Sequence, residues 1–201
     1  MLFTREDRSP PVKPRKRRTG TGVLHRRETF VSLDDAAKRA DLQPNDLAAL
    51  LELDGLVDAL KPVPAFRSGS VRTGRGLMRS AAGVVEGALL GAYRARVAAS
   101  GTPGHHAVAF GAVMACAGVD ESTASLALGI SFVGGLTAAA VRLGIIGQGA
   151  AQRIVAGAHD AIAAAAARAR DTPREDMGAF MPIVDVAGLR QPRLPGRIFA
   201  S

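Results

Sequence analysis

At 201 residues the chain suits one globular domain with tails, since chains of this size bury roughly 70% of their unfolded surface. Its net charge of +8 is unevenly held: residues 1–27 carry nine Arg or Lys against two acids, giving +7, which leaves 17 bases and 16 acids, or +1, for residues 28–201. The single cysteine, Cys116, excludes an internal disulfide and paired-cysteine zinc or redox sites, and the N-terminus lacks the apolar core of a signal peptide, so a cytoplasmic protein is expected.

Residues 1–30 combine three prolines with the run KPRKRR and are expected to form a disordered basic tail. From residue 31 to about 172 the apolar periodicity is helical. PNDLAALLELDGLVDAL sets Leu47, Leu50, Leu51, Leu56, Val57 and Leu60 at three- and four-residue intervals, with Asn45 as N-cap, and KPVPAF ends that helix by removing backbone donors. A second helix is predicted from Thr73 to Ala98, and a third after TPG through HHAVAFGAVMACA. The fourth is capped by Asp120 and runs through ESTASLALGISFVGGLTAAAV; the fifth occupies about Gly149 to Arg170. Residues 173–201 hold Pro173, Pro182, Pro192 and Pro195 and form an irregular C-terminal tail, with a short helix near Val184 to Leu189. No segment alternates like a half-buried strand, so the fold class is all-α, a single helical bundle between two tails.

Val97 to Val119 and Ser122 to Val141 carry no formal charge and reach the length of a membrane span, about 20 residues. The first is interrupted by SGTPGHH, and the second has five Ser or Thr, three Gly and only seven large apolar side chains. Buried helices of a soluble bundle are therefore expected, with a small membrane protein of two helical spans as the alternative. The basic N-terminal tail raises a further alternative, nucleic-acid binding.

Catalytic and metal patterns are missing. His105 and His106 are neighbours pointing about 100° apart, which does not suit joint ligation, and His25 and His159 have no acid or cysteine at ligand spacing. Helix-start or surface histidines are expected, and Cys116 is read as a buried structural thiol. Neither a nucleophile elbow nor a phosphate loop is present, so the expectation is no enzyme, no cofactor and no metal ligands.

AVRLGIIGQGAAQRI, Ala140 to Ile154, carries Arg142, Leu143, Gly144, Gly147 and Gln148 in a helix-loop-helix that resembles the urease accessory protein UreF family. In that family an Arg/Lys-Leu-Gly-x-x-Gly-Gln pattern closes one core helix and opens the next. RSGSVRTGRGLMRSA resembles the family's Ser-x-x-x-Gly helix start through Ser70 and Gly74, and HHAVAFGAVMACAGVDESTASLALGISFVGGLTAAAV resembles its paired central helices. DVAGLRQPRLPGRIFAS resembles its terminal signature through Asp185, Arg190, Arg197, Phe199 and Ser201. The likeness spans about residues 60–201. It implies a non-catalytic urease maturation protein, a chaperone-like scaffold that dimerises, binds UreD (also called UreH) and the GTPase UreG, and helps deliver nickel to apo-urease. The partner-binding residues it implies are Arg142, Gly147 and Gln148 at the loop and Asp185, Arg190, Arg197, Phe199 and Ser201 in the tail. Gln191-Pro192 replaces the family's His-Glu, and the family's N-terminal motif is missing, which suggests a truncated or misassigned start.

Overall fold

The computed structural model describes residues 46–178 and 181–190. These contain eight α-helices: α1 (Asp46–Ala59), α2 (Pro64–Ser80), α3 (Ala88–Ala98), α4 (His106–Cys116), α5 (Glu121–Arg142), α6 (Gln148–Gly157), α7 (His159–Asp171) and, after a 3-10 turn at Arg174–Asp176, α8 (Pro182–Arg190). No strand occurs among the described residues, and the all-α expectation is met.

Helices α1 to α4 enclose the main core. Leu50, Leu53 and Val57 of α1 meet Met78 of α2, Leu89, Leu90, Tyr93 and Val97 of α3, and Val108, Ala109, Ala112 and Val113 of α4. Leu90, Tyr93, Val57 and Val108 are at most 1% exposed, and burying such side chains contributes about 1.5–3 kcal/mol each. A second layer, α5 to α7, joins this body through Phe110 of α4 against Ala124 and Leu128 of α5. Within it α5 packs on both α6 and α7, and Gly129 lets Ile162 approach so closely that a Cβ would lie 2.6 Å from Ile162 Cγ2.

Two expected helices are each divided. The stretch Thr73–Ala98 is broken at residues 81–87: α2 ends with Ala81 N donating to Leu77 O, and Gly83 turns the chain at φ +81. α2 also begins earlier than expected, because Pro64, the second proline of KPVPAF, stands at the first position of the next helix, where its missing N–H costs nothing. The stretch Gly149–Arg170 bends at Ala158, whose N–H donates to Val155 O in a tight turn; the bend lets both halves lie on α5. Asn45, the expected N-cap of α1, lies outside the described residues.

The expectation for the two uncharged runs holds for one of them. Val97 to Val119 supplies α4, whose residues Val108 to Val113 are buried. The run Ser122 to Val141 is not interior: only 22% of the most apolar stretch of α5 is buried, and Ile130, Phe132 and Leu136 are exposed. α5 meets α4 near its start and α6 and α7 along its length, and these neighbours leave part of a largely apolar helix uncovered. By length and composition it is the one described helix that could cross a membrane. Cys116 is half-buried rather than buried, since it is the last residue of α4, with its Sγ against Gly87.

Candidate functional site

The most tightly specified part of the molecule is a polar node where α1, α2 and the start of α4 meet. α1 places Asp54 and Asp58 four residues apart, on the same side as Leu50 and Val57. Asp54 is fully buried, and its carboxylate accepts from Thr102 Oγ1 (2.5 Å), Gly104 N (2.7 Å) and His105 N (2.8 Å). Asp54 thus satisfies donors at the entry to α4 from another helix, since His105, the N-cap residue, makes no side-chain cap of its own. Gly104 adopts φ +82, a conformation that favours glycine, to aim its N–H at that carboxylate.

His105 stands at a helix start, as one of the two expectations had it, but its side chain is fully buried. Its Nδ1 lies 3.1 Å from Ser70 Oγ and its Nε2 3.0 Å from Asp58 Oδ1. Ser70 Oγ also accepts from His106 N at 3.3 Å, so in the neutral ring the consistent assignment has the Ser70 hydroxyl donating to Nδ1 and Nε2–H donating to Asp58. Arg67 donates from Nε to Lys61 O at 3.1 Å and lies 3.5 Å from Asp58 Oδ1, joining the first turn of α2 to the same node. Gly74, one turn beyond Ser70, passes so close to α4 that a Cβ would overlap Gly104 O and sit 2.7 Å from the His105 carbonyl carbon. The spacing Ser70-x-x-x-Gly74 therefore has a physical account: the serine holds the start of α4 and the glycine lets its backbone in.

Burial sets the acid–base behaviour around this node. The Tyr93 phenol is pushed far up by burial first and by the nearby Asp54 carboxylate second; its hydroxyl makes no hydrogen bond of standard geometry. His106 is held below its ordinary value by burial and by the charge of Lys61, and Lys61 is itself lowered by burial. No described group of three His, Cys, Asp or Glu is placed to hold a metal ion.

The loop from α5 to α6 has a different character. α5 ends in a Schellman motif: Gly144, at φ +69, donates to Val141 O, and Ile145 N donates to Ala140 O at 2.9 Å. Arg142 is the last residue of α5, and Gly147 and Gln148 are the N-cap and first residue of α6; all three are exposed. Of the glycines in this loop, only Gly144 uses the left-handed backbone that glycine permits. Gly147 has ordinary extended backbone, and a Cβ on it would meet nothing within 4 Å. Around this loop lie exposed apolar side chains: Leu136, Leu143, Ile145 at 70% exposure, and Ile154.

The tail residues fall elsewhere. α8 packs on α2, with Asp185 half-buried and Arg190 exposed. Arg197, Phe199 and Ser201 lie outside the described residues. The expected contact residues thus divide between the α5–α7 layer and a helix seated on α2. Ser70, Gly74 and His105 were singled out in the sequence without their partners; Asp54, Asp58 and Thr102 escaped it, although one signal was present: Asp54 and Asp58 sit at i, i+4 inside the apolar stripe of α1, where acids persist only with buried donors to meet them.

The described residues thus form an all-helical body with a polar node at the start of α4 and an apolar helix, α5, left partly uncovered. The UreF family model matches residues 29–159 of this chain. Among curated proteins, the urease accessory protein UreF of Paenarthrobacter aurescens strain TC1 is 35% identical over 149 residues, covering 74% of this chain and 67% of its own. That of Arthrobacter sp. strain FB24 is 33% identical over 150 residues, covering 75% and 67%, and that of Bacillus sp. strain TB-90 is 30% identical over 160 residues, covering 80% and 70%. The chain belongs to the UreF family of urease accessory proteins. The matched span includes the polar node and the Arg142–Gln148 loop and ends before α8.

Proposed function

We propose that this chain is a non-catalytic cytoplasmic scaffold for urease maturation, which pairs with a second copy of itself, bridges UreD/UreH and the GTPase UreG, and promotes delivery of nickel to apo-urease. The supporting observation is the uncovered apolar surface of α5. Phe132 and Leu136, one turn apart, are exposed on one side of α5, Leu143 and Ile145 are exposed next to Arg142 in the loop that follows, and exposed apolar surface of this kind marks sites of association. In this reading the α5 face is covered by the second copy. Arg142, Gly147 and Gln148 meet the accessory partners at its edge, where Gly147 keeps the surface flat. Asp185, Arg190, Arg197, Phe199 and Ser201 belong to the tail segment that docks on UreD/UreH. The chain divides accordingly into a basic segment (1–30), the helical body (31–172) and the partner-binding tail (173–201).

The test is co-expression of the chain with UreD/UreH, UreG and apo-urease, followed by affinity capture and an assay of urease activation. Wild type is expected to retain both accessory proteins. Arg142→Ala is expected to keep its helical circular dichroism yet lose about tenfold in activation, the scale of an interface anchor worth more than 1 kcal/mol. Full activation by that variant removes Arg142 from the contact.

A further inference from the structure

Among the described residues, Arg94 of α3 is the charged side chain whose buried donors go unmet: its Nε and Nη2 are buried, and neither has a hydrogen-bond partner. Those two nitrogens form the edge of a guanidinium that takes a carboxylate in two parallel bonds, and a buried charge without a partner is costly. The residue as a whole is half-buried, which places it at the rim of the core and not within it. By the 100° step of a helix, Arg94 stands about 40° from Leu90 on the buried side and about 40° and 60° from Ala98 and Gly91 on the other, both exposed. Ala95 and Ala88 continue that exposed face, and a Cβ on Gly91 would meet nothing within 4 Å. The outer side of a surface helix is ordinarily charged, whereas a face of alanine and glycine lets another backbone come close.

Residues 31–45, VSLDDAAKRADLQPN, lie outside the described residues and run directly into α1, which packs on α3. They carry three acids, Asp34, Asp35 and Asp41, against two bases, whereas residues 1–27 carry +7. Leu33, Ala36, Ala37 and Ala40 recur at three- and four-residue intervals, the pattern of one helix face, and three of these four are as small as the face of α3. In that register Asp34 and Asp41 flank the small face and Asp35 stands opposite it. The family match begins at residue 29, so this stretch counts among the residues the family shares. We propose that residues 31–45 dock on α3, with Asp34 or Asp41 filling the Arg94 fork and the alanines lying on the Gly91–Ala98 face. The pairing is independent of which partners the scaffold meets.

The experiment is brief tryptic digestion of the full chain. Lys38 and Arg39 are cleavage sites inside the segment, and Arg26 and Arg27 ahead of it give the reference rate. Arg94→Met keeps the reach of the side chain and removes the fork. It is expected to speed cleavage after Lys38 and Arg39 about tenfold relative to the reference sites, because cleavage follows the population of the open form. Either Asp34→Asn or Asp41→Asn is expected to match it and to add nothing when combined with it, while Asp35→Asn cleaves as wild type does. Arg94→Lys keeps the charge without the fork and is expected to lose part of the protection, which provides a second reading should Arg94→Met fail to fold. Wild-type cleavage in Arg94→Lys and in both Asp34→Asn and Asp41→Asn overturns the proposal, since the fork would then hold nothing of this segment. Protection that disappears on dilution also overturns it, because the segment would then belong to a second copy.

Discussion

Asp54 shows how much one side chain determines in a body this small. Its two oxygens accept three buried donors, and hydrogen bonds to a charged group contribute about 1.5–3 kcal/mol each. Asp54→Asn keeps the shape but sets an amide NH2 against at least one of those N–H or O–H groups. The expected loss is about 2–4 kcal/mol, read as a lower urea midpoint with unchanged slope. Ser70→Ala removes one neutral partner of His105 and is expected to cost about 1 kcal/mol in the same measurement. If Asp54→Asn unfolds at the wild-type midpoint, the node is not what fixes the entry to α4. The sequence shows an acid pair in an apolar stripe; it does not show that Thr102, Gly104 and His105, some 50 residues later, supply the donors.

At the scale of elements, helix starts were more legible than helix breaks. Asp120 caps α5 as its sequence position suggested, accepting from Thr123 N at 3.0 Å and Thr123 Oγ1 at 2.6 Å, and those bonds hold its carboxyl below the ordinary range. The breaks at residues 81–87 and at Ala158 were missed although glycines mark both, Gly83 and Gly87 at the first and Gly157 at the second, because a helical pattern tolerates single glycines and only tertiary packing decides which of them ends the helix. α4 adds a dependence on pH. His106, its first residue, has its proton affinity lowered by burial and by Lys61, so the unfolded chain binds that proton at a higher pH than the folded one. The stabilising difference is fully present above the ordinary value of 6.5 and is lost as pH falls through the lower folded value. Urea midpoints measured from about pH 7.5 down to about pH 5.5 are expected to decline more steeply for wild type than for His106→Gln. Parallel declines would remove His106 as the source.

At the scale of the whole molecule, the open face of α5 is the surface that the proposed pairing would cover. If a second copy covers it, Leu136→Asp, at a position 58% exposed in the single chain, is expected to fold normally and sediment as a monomer while wild type sediments as a dimer. The surface position makes the change nearly neutral for folding, within about 0.5 kcal/mol. A charge buried without a partner in the paired face costs several kcal/mol. Identical sedimentation of both proteins would move the dimer contact away from α5.

The sequence by itself determined the helical class, the cap of α5, the turn after Arg142 and, through motif blocks of which three lie within the matched residues 29–159, the family. These are local or linear patterns: 3.6-residue periodicity, a capping side chain, a glycine closing a helix. Only the tertiary structure decided that the first uncharged run is core while the second lies half open, and that Asp54 and His105 share one buried node. Each of those depends on which surfaces of separate helices meet, as Thr102 meets Asp54 48 residues away, and helical periodicity gives the apolar stripe without naming its neighbour.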